Sequence, residues 1–332
     1  MERPSACLVS SREPSLAAGE KLISVVSGCY NEQDNVRECY ERVKKVFKEI
    51  GRYRYEHIFI DNASQDRTVA ILREIAAQDK NVKVIVNARN FGHIRSGYHA
   101  MLQSRGNAVI SIVSDLQDPP ELIKDFLAKW EEGFLIVIGV KQESEESVLF
   151  FTLRRIYYEM VGRLAEIKLT KNATGFGLYD RRFVDILKEL NDPYPYFRGL
   201  VSDVGFPSAK IPYLQPARKR GITSNNFYQL YDIAMLGITN HSKVPLRLAT
   251  MLGFTVSFVS FIVAVFYLIF KLLFWQQFTL GLAPLVVGLF FFGSVQLFFI
   301  GILGEYIGAI HTQVLKRPLV IELERLNFEP ES

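Results

Sequence analysis

The stretch around which the chemistry of this 332-residue chain is organised is Ser114-Asp115-Leu116-Gln117-Asp118-Pro119-Pro120-Glu121. It follows residues 108–113, a β-branched run after Gly106 and Asn107 that predicts a buried strand. A carboxylate just past such a strand points into the crevice where α/β sheets hold their ligands, so Asp115 is the candidate functional acid. The alternative for it is a solvated turn residue. Asp118 divides differently: with Pro119, Pro120 and Glu121 behind it, it reads as a helix N-cap with an acid at N3. That helix would bury Leu122, Ile123, Phe126, Leu127 and Trp130 on one face.

The preceding chain shows what positions these residues. Residues 22–26 predict a strand, Gly28-Cys29-Tyr30-Asn31-Glu32 its exit loop, and Val36, Cys39, Tyr40, Val43, Phe47 and Ile50 one face of a helix stopped by Gly51. Residues 57–60 form a second strand, ending in Asp61-Asn62-Ala63-Ser64-Gln65-Asp66, with a helix on Val69, Leu72, Ile75 and Ala76. Residues 82–86 are a third, leading to Arg89-Asn90-Phe91-Gly92-His93 and a helix to Gly106. Residues 134–140 supply a fifth strand. Strand, polar loop and helix in alternation predict a doubly wound, mostly parallel α/β sheet. Four loops at one edge then carry Asn31 and Glu32, Asp61 and Asp66, Arg89 and His93, and Asp115. His93 either faces that crevice or makes a local hydrogen bond at its helix start.

No Gly-rich dinucleotide fingerprint or P-loop lysine motif is present, which excludes the usual NAD and ATPase sites. Carboxylates at neighbouring strand ends without a phosphate-cradling loop suit a nucleotide held by base and ribose, with a divalent ion on its phosphates. Mg²⁺ needs only one or two protein carboxylates when phosphate oxygens complete its shell, so Asp115 can suffice with a nucleotide-sugar diphosphate.

The last third changes character. Residues 248–270 and 282–304 are uncharged apolar runs of 23 residues each, long enough to cross a bilayer. The alternative is a pair of buried helices in a soluble core. Lys243 and Arg247 before the first run, and Lys316 and Arg317 after the second, place both termini in the cytoplasm by the positive-inside rule. The polar first twenty residues, broken by Pro4 and Pro14, predict no signal peptide. Cys7, Cys29 and Cys39 lack metal spacing and would stay reduced. A net charge of +4 is modest, pointing to membrane-surface attraction and away from nucleic acid.

Tyr30-Asn31-Glu32, the run from Asp61 to Asp66, Asn90-Phe91-Gly92 and Asp115-Leu116-Gln117-Asp118-Pro119-Pro120, in this order and ahead of two spans, resemble family 2 inverting glycosyltransferases. The branch resembled is the polyprenyl-phosphate one, similar to dolichyl-phosphate mannose synthase and bacterial undecaprenyl-phosphate glucosyltransferases. The resemblance covers residues 22 to 317 and implies a GT-A fold. It implies that Glu32 and Asp61 hold the base and ribose with Asn62 beside them, that Tyr30, Asn31, Asp66 and Asn90 complete the donor site, and that Asp115 and Gln117 bind Mg²⁺ or Mn²⁺. Two positions depart from the pattern: Val113 stands where relatives often carry an acid, and residues 172–177 replace a segment in which an acid is sometimes given a catalytic role.

An acceptor phosphate needs cations. Arg155, in an apolar-faced segment at residues 148–164, and Arg218, in the Arg218-Lys219-Arg220 cluster, are the candidates. Both segments read as interfacial helices, and anionic headgroups are the competing partner for the first. Gly301, Gly304 and Gly308 allow close helix approach and predict homo-oligomers, against simple lipid exposure.

The division expected is a tail at residues 1–20, a catalytic domain at 21–215, juxtamembrane helices at 216–247, two spans within 248–304 and a C-terminal tail at 305–332. The function expected is hexose transfer from a nucleotide sugar, UDP-glucose foremost, to undecaprenyl phosphate on the cytoplasmic leaflet of a bacterial plasma membrane. The alternatives are a decayed nucleotide-sugar binder, or an enzyme acting on a glycan or protein.

Overall fold

The computed structural model describes residues 21–142, 173–216, 235–237, 239, 242–274 and 282–329. The elements in chain order are β1 (Leu22–Cys29), α1 (Val36–Ile50), β2 (Arg54–Asp61), α2 (Thr68–Gln78), β3 (Val82–Asn87), α3 (His93–Gln103) and β4 (Ala108–Val113). A 3₁₀ turn (Pro120–Leu122) leads to α4 (Ile123–Glu131) and β5 (Ile136–Lys141). Then come β6 (Ala173–Asp180), α5 (Arg181–Leu190), α6 (Phe197–Asp203), β7 (Ser208–Tyr213), α7 (Val244–Leu273), α8 (Leu282–Leu315) and β8 (Glu322–Leu326).

The eight strands form one sheet in the order β7-β5-β6-β4-β1-β2-β3-β8. β1 runs parallel to β2 and β4, β2 to β3, and β5 to β7. β6 lies antiparallel between β4 and β5, and β8 is antiparallel to β3. Gly177 lets β6 close on β5, because a Cβ there would lie 2.3 Å from the Val137 carbonyl oxygen.

Helices cover both faces, as the alternating pattern requires. On one face Val43 and Phe47 of α1, Leu72 and Ile75 of α2 and Phe126 of α4 meet Ile23, Val25 and Phe59 of the strands. On the other, Tyr98 and Met101 of α3 and Phe183 and Leu187 of α5 meet Val26, Ile58, Ile60 and Val109. Each such side chain, fully buried, contributes roughly 1.5–3 kcal/mol. Gly51 ends α1 in the left-handed region at φ 67°, as the sequence predicts, and Asp180 caps α5 by accepting from the Arg182 amide. Strand order reverses between β1 and β4. That switch point opens a crevice at their carboxyl ends.

α7 and α8 have mean hydropathy 2.4 and 2.0 over their membrane-crossing stretches, and none of either apolar window is buried in the fold. A soluble core helix would be covered, so their exposure favours lipid. α8, at 34 residues, is about 51 Å long. It runs past residue 304 to Leu315, and the chain then returns to the sheet as β8. The segment read as a tail therefore holds a helical extension and an edge strand. The β8 sequence, Glu-Leu-Glu-Arg-Leu, carries three charges in five residues, the composition of a protected sheet edge and a weak strand signal. β8 is pinned by Arg73–Glu324 and His99–Glu322 contacts and by Asn327 donating to the Ala76 and Val82 carbonyls.

Candidate active site

The loops after β1, β2 and β3 are tied to one another by side chains that the sequence had offered as donor contacts. The Asn31 amide donates to Ser64 Oγ at 2.8 Å, and Asn31 Oδ1 accepts from the Gln65 amide at 2.8 Å. Glu32 N donates to Thr68 Oγ1 and Gln33 N to Asp66 Oδ2, while Asp66 Oδ1 accepts from the Thr68 amide at the start of α2. Asp66 thus acts as a loop tie and helix-start acceptor. Asn62 is the hub of the next junction. Its Oδ1 accepts from the Phe91 amide at 2.8 Å and Ser96 Oγ at 2.9 Å, and its Nδ2 donates to Asn90 Oδ1 at 2.8 Å.

Asp61 is fully buried at the end of β2 and accepts from the Ser64 amide at 2.9 Å. Burial raises its pKa against the pull of those hydrogen bonds. Glu32 is also buried and accepts from Asn35 Nδ2, whereas Tyr30 and Asn90 are exposed at the rim. Asn31, Ala63 and Leu116 adopt left-handed backbones, with φ of 55°, 62° and 62°. These strained residues lie just beyond β1, β2 and β4, around the crevice. Strain of this kind persists where surrounding contacts over-determine the chain, and it concentrates at functional sites.

At the β4 exit, Leu116 turns into the core while Asp115 and Gln117 stay half-buried. Asp115 Oδ1 accepts from the Gln117 amide at 3.0 Å. Asp118 corrects the N-cap reading. The residue preceding the 3₁₀ turn is Pro119 and no side chain caps it. Asp118 is instead buried, accepts from Tyr213 Oη at 3.0 Å, and is pushed up to about 7, by burial first and by the nearby Asp115 carboxylate. The sequence could not reveal this, because Tyr213 lies 95 positions away at the end of β7. His93, at the start of α3, is held below its ordinary pKa by desolvation and then by the Arg198 guanidinium.

Ser114 Oγ is buried without a hydrogen-bond partner, as is Asn87 Oδ1 at the end of β3. Among the described residues, no three His, Cys, Asp or Glu side chains group as a metal cage. A cation shared with substrate phosphates needs less. The carboxylate of Asp115, the amide of Gln117 and the orphaned Ser114 hydroxyl are an all-oxygen donor set, which fits Mg²⁺ or Mn²⁺. Val113, half exposed at the strand end, contributes no ligand. Arg155, Arg218 and Asn172 lie outside the described residues.

A doubly wound sheet with acids and strained turns at its β1/β4 switch, followed by two apolar helices, defines a GT-A glycosyltransferase architecture. A family model described as "Glycosyl transferase family 2" matches residues 24–187, from β1 into α5. The chain is 34% identical over 307 residues to the uncharacterized glycosyltransferase YkcC of Bacillus subtilis, covering 92% of this chain and 94% of that one. It is 34% identical over 312 residues to the uncharacterized glycosyltransferase sll0501 of Synechocystis, covering 93% and 97%. It is 33% identical over 300 residues to the bactoprenol glucosyl transferase of Shigella phage SfII, covering 90% and 96%. The chain belongs to glycosyltransferase family 2. It is a glycosyltransferase that handles a nucleotide sugar.

Proposed function

We propose that this enzyme transfers a hexose, glucose foremost, from a UDP-sugar to undecaprenyl phosphate at the cytoplasmic face of the membrane, with inversion at the anomeric carbon. The observation that carries the reading is the attachment of α8 to the donor crevice. The end of this long unburied helix feeds β8, and β8 pairs with β3 beside the loop of Asn90. A site built onto a membrane helix suits an acceptor that never leaves the bilayer. The name of the phage relative supports the same acceptor class, bactoprenol being a polyprenol.

The chemistry makes modest demands on the protein. A lipid monophosphate is already anionic near neutral pH, so its oxygen needs placement in line with the anomeric carbon more than it needs a base. Asp115 and Gln117 would hold Mg²⁺ or Mn²⁺, which when bound neutralises the charge of the departing diphosphate. The loop ties of Asn31, Asn62 and Asp66 would keep Glu32, Asp61 and Asn90 in fixed positions for base and ribose. Fixed donors need no reorganisation during transfer. Arg155 and Arg218 remain proposed acceptor contacts, and the glycine positions of α8 a proposed helix–helix seam.

The test is transfer of labelled sugar from a panel of UDP- and GDP-sugars by the purified full chain with Mg²⁺. A labelled product that partitions into the organic phase only when undecaprenyl phosphate is present, with inverted anomeric configuration, is expected. Label remaining wholly in water-soluble glycan or on protein would overturn the acceptor assignment.

A further inference from the structure

The polar chain at the β4 exit does not end with Asp118. It continues along the sheet edge through side chains from two further strands. Tyr213, the last residue of β7, donates from Oη to Asp118 Oδ1 at 3.0 Å. A phenol has one proton, and it is given to Asp118, so the second hydrogen bond of Tyr213 Oη, to the Thr174 side chain, is one that it accepts. Thr174 has then given its own single proton to Tyr213. Its oxygen is left as an acceptor, on an exposed residue at the mouth of the crevice.

Both ends of this chain are held. Tyr213 is buried, its ring edge-on to that of Phe176 at 5.2 Å between centroids. Phe176 shares a face of β6 with Thr174, two residues away, so the same strand face supplies the packing and the hydroxyl. Gly175, between them, adopts φ 95°, and its carbonyl accepts from the buried Tyr179 Oη at 2.9 Å. The backbone beside Thr174 is thereby anchored to the core, and its side chain is oriented through Tyr213.

The place of Thr174 along the sheet says what it would meet. β6 runs antiparallel to β4 and β5, so it starts at the edge where they end: Gly177 lies opposite Ser111, and Ala173 opposite Val140. In the strand order β6-β4-β1-β2-β3, that edge presents Thr174, then the Asp115 turn, then the loops of Asn31, Asp61 and Asn90. A nucleotide sugar has the same order of parts: hexose, diphosphate, ribose and base. With base and ribose at the β1–β3 loops and the diphosphate at Asp115, the hexose extends toward the start of β6. A sugar hydroxyl has a proton to donate to an acceptor-only oxygen, whereas an ionised phosphate oxygen has none.

We propose that Thr174 determines sugar specificity by accepting a hydrogen bond from a hydroxyl of the transferred hexose, and that Tyr213 is the positioning residue that orients it. The inference rests on the donor placement proposed above and adds to it a contact on the sugar itself. An acceptor fixed before the sugar arrives needs no reorientation. It also reads stereochemistry, because an epimer whose hydroxyl points elsewhere leaves the bond unmade.

The test is equilibrium binding to the purified full chain with Mg²⁺ and without lipid acceptor, using the UDP- or GDP-hexose that the parent binds tightest and, separately, its nucleoside diphosphate. Thr174→Val keeps the side-chain shape and removes the hydroxyl. It should weaken the sugar nucleotide about 3- to 10-fold, the range for one neutral hydrogen bond, and leave the nucleoside diphosphate within about 2-fold of parent. Thr174→Ser should restore most of the lost affinity. In a Tyr213→Phe background, where Thr174 is no longer oriented, the Thr174→Val step should cost less than about 2-fold. Among donors with each sugar hydroxyl removed in turn, one should bind the parent weakly and be weakened no further by Thr174→Val. Parent-like binding of the sugar nucleotide by Thr174→Val, equal losses for sugar nucleotide and nucleoside diphosphate, or an undiminished loss in the Tyr213→Phe background would each overturn the assignment. A tightest donor other than UDP-glucose would count against the glucose reading alone. Sugar-selective loss in a chain that transfers nothing to undecaprenyl phosphate would count against the acceptor reading alone.

Discussion

Tyr213 Oη donates to Asp118 Oδ1 at 3.0 Å, joining the end of β7 to the turn that carries Asp115 and Gln117. Asp118 is almost wholly buried, so this hydroxyl is a main source of stabilisation for its carboxylate. Tyr213→Phe should destabilise the fold by about 1–3 kcal/mol, the cost of leaving a buried acceptor unpaired. It should also raise the Mg²⁺ concentration needed for half-maximal turnover, because the neighbouring turn is no longer anchored. Chemical unfolding and a metal titration in detergent check both effects. An unchanged metal requirement would separate Asp118 from the function of the turn.

Asn62 should be more damaging to lose than its small size indicates. Its side chain joins the β2 exit to the loop of Asn90 through three hydrogen bonds of 2.8–2.9 Å. Asn62→Ala leaves the Phe91 amide and Ser96 Oγ without this acceptor, at about 1–3 kcal/mol. KM for the nucleotide sugar should rise, because the loop that carries Asn90 loses its tie to the β2 exit. Steady-state kinetics with the donor varied, beside chemical unfolding of the same preparation, decide it.

Gln117→Ala is expected to lower apparent affinity for Mg²⁺ while leaving thermal stability within about 0.5 kcal/mol, since its half-buried side chain packs little core. Turnover recovered at high Mg²⁺ is the predicted outcome. Activity that metal cannot restore would indicate a different role for the amide.

Acid stability should depend on His57. This residue is fully buried between Ser27, whose Oγ lies 2.8 Å from Nε2, and the Phe59 ring, and burial lowers its pKa from 6.5 to about 3. Between those values the unfolded chain binds a proton that the folded chain refuses, so stability falls as pH drops below about 6.5 and the loss is complete near pH 3. The melting temperature of the parent should decline through this window, and His57→Gln should flatten that decline. Parallel melting curves would contradict the assignment.

Much of this architecture was legible in the sequence where pattern is local. The strand at residues 108–113, the helix face from Val36 to Ile50 and its stop at Gly51 follow from side-chain periodicity and one left-handed glycine. The acids past the strand ends were legible for the same reason, because parallel winding sends successive exits to one edge. What escaped was long-range. β6 enters the sheet between β4 and β5 out of sequential order, and β8 reaches β3 across more than 230 residues. Asp118 looked like a cap because local spacing permits one, and only the arrival of Tyr213 makes it a buried carboxyl. In the sequence Asn62 and Asp66 read as donor contacts, whereas in the structure they lock the loops of the crevice.

The most direct measurement is nucleoside diphosphate release by the purified full chain with Mg²⁺ and UDP-glucose, with and without undecaprenyl phosphate, beside Asp115→Ala. Release that requires the lipid and falls by about three orders of magnitude or more in the variant is predicted, as for loss of a group that stabilises the leaving diphosphate. Parent-level release by Asp115→Ala would contradict the assignment of the β4 turn as the catalytic centre.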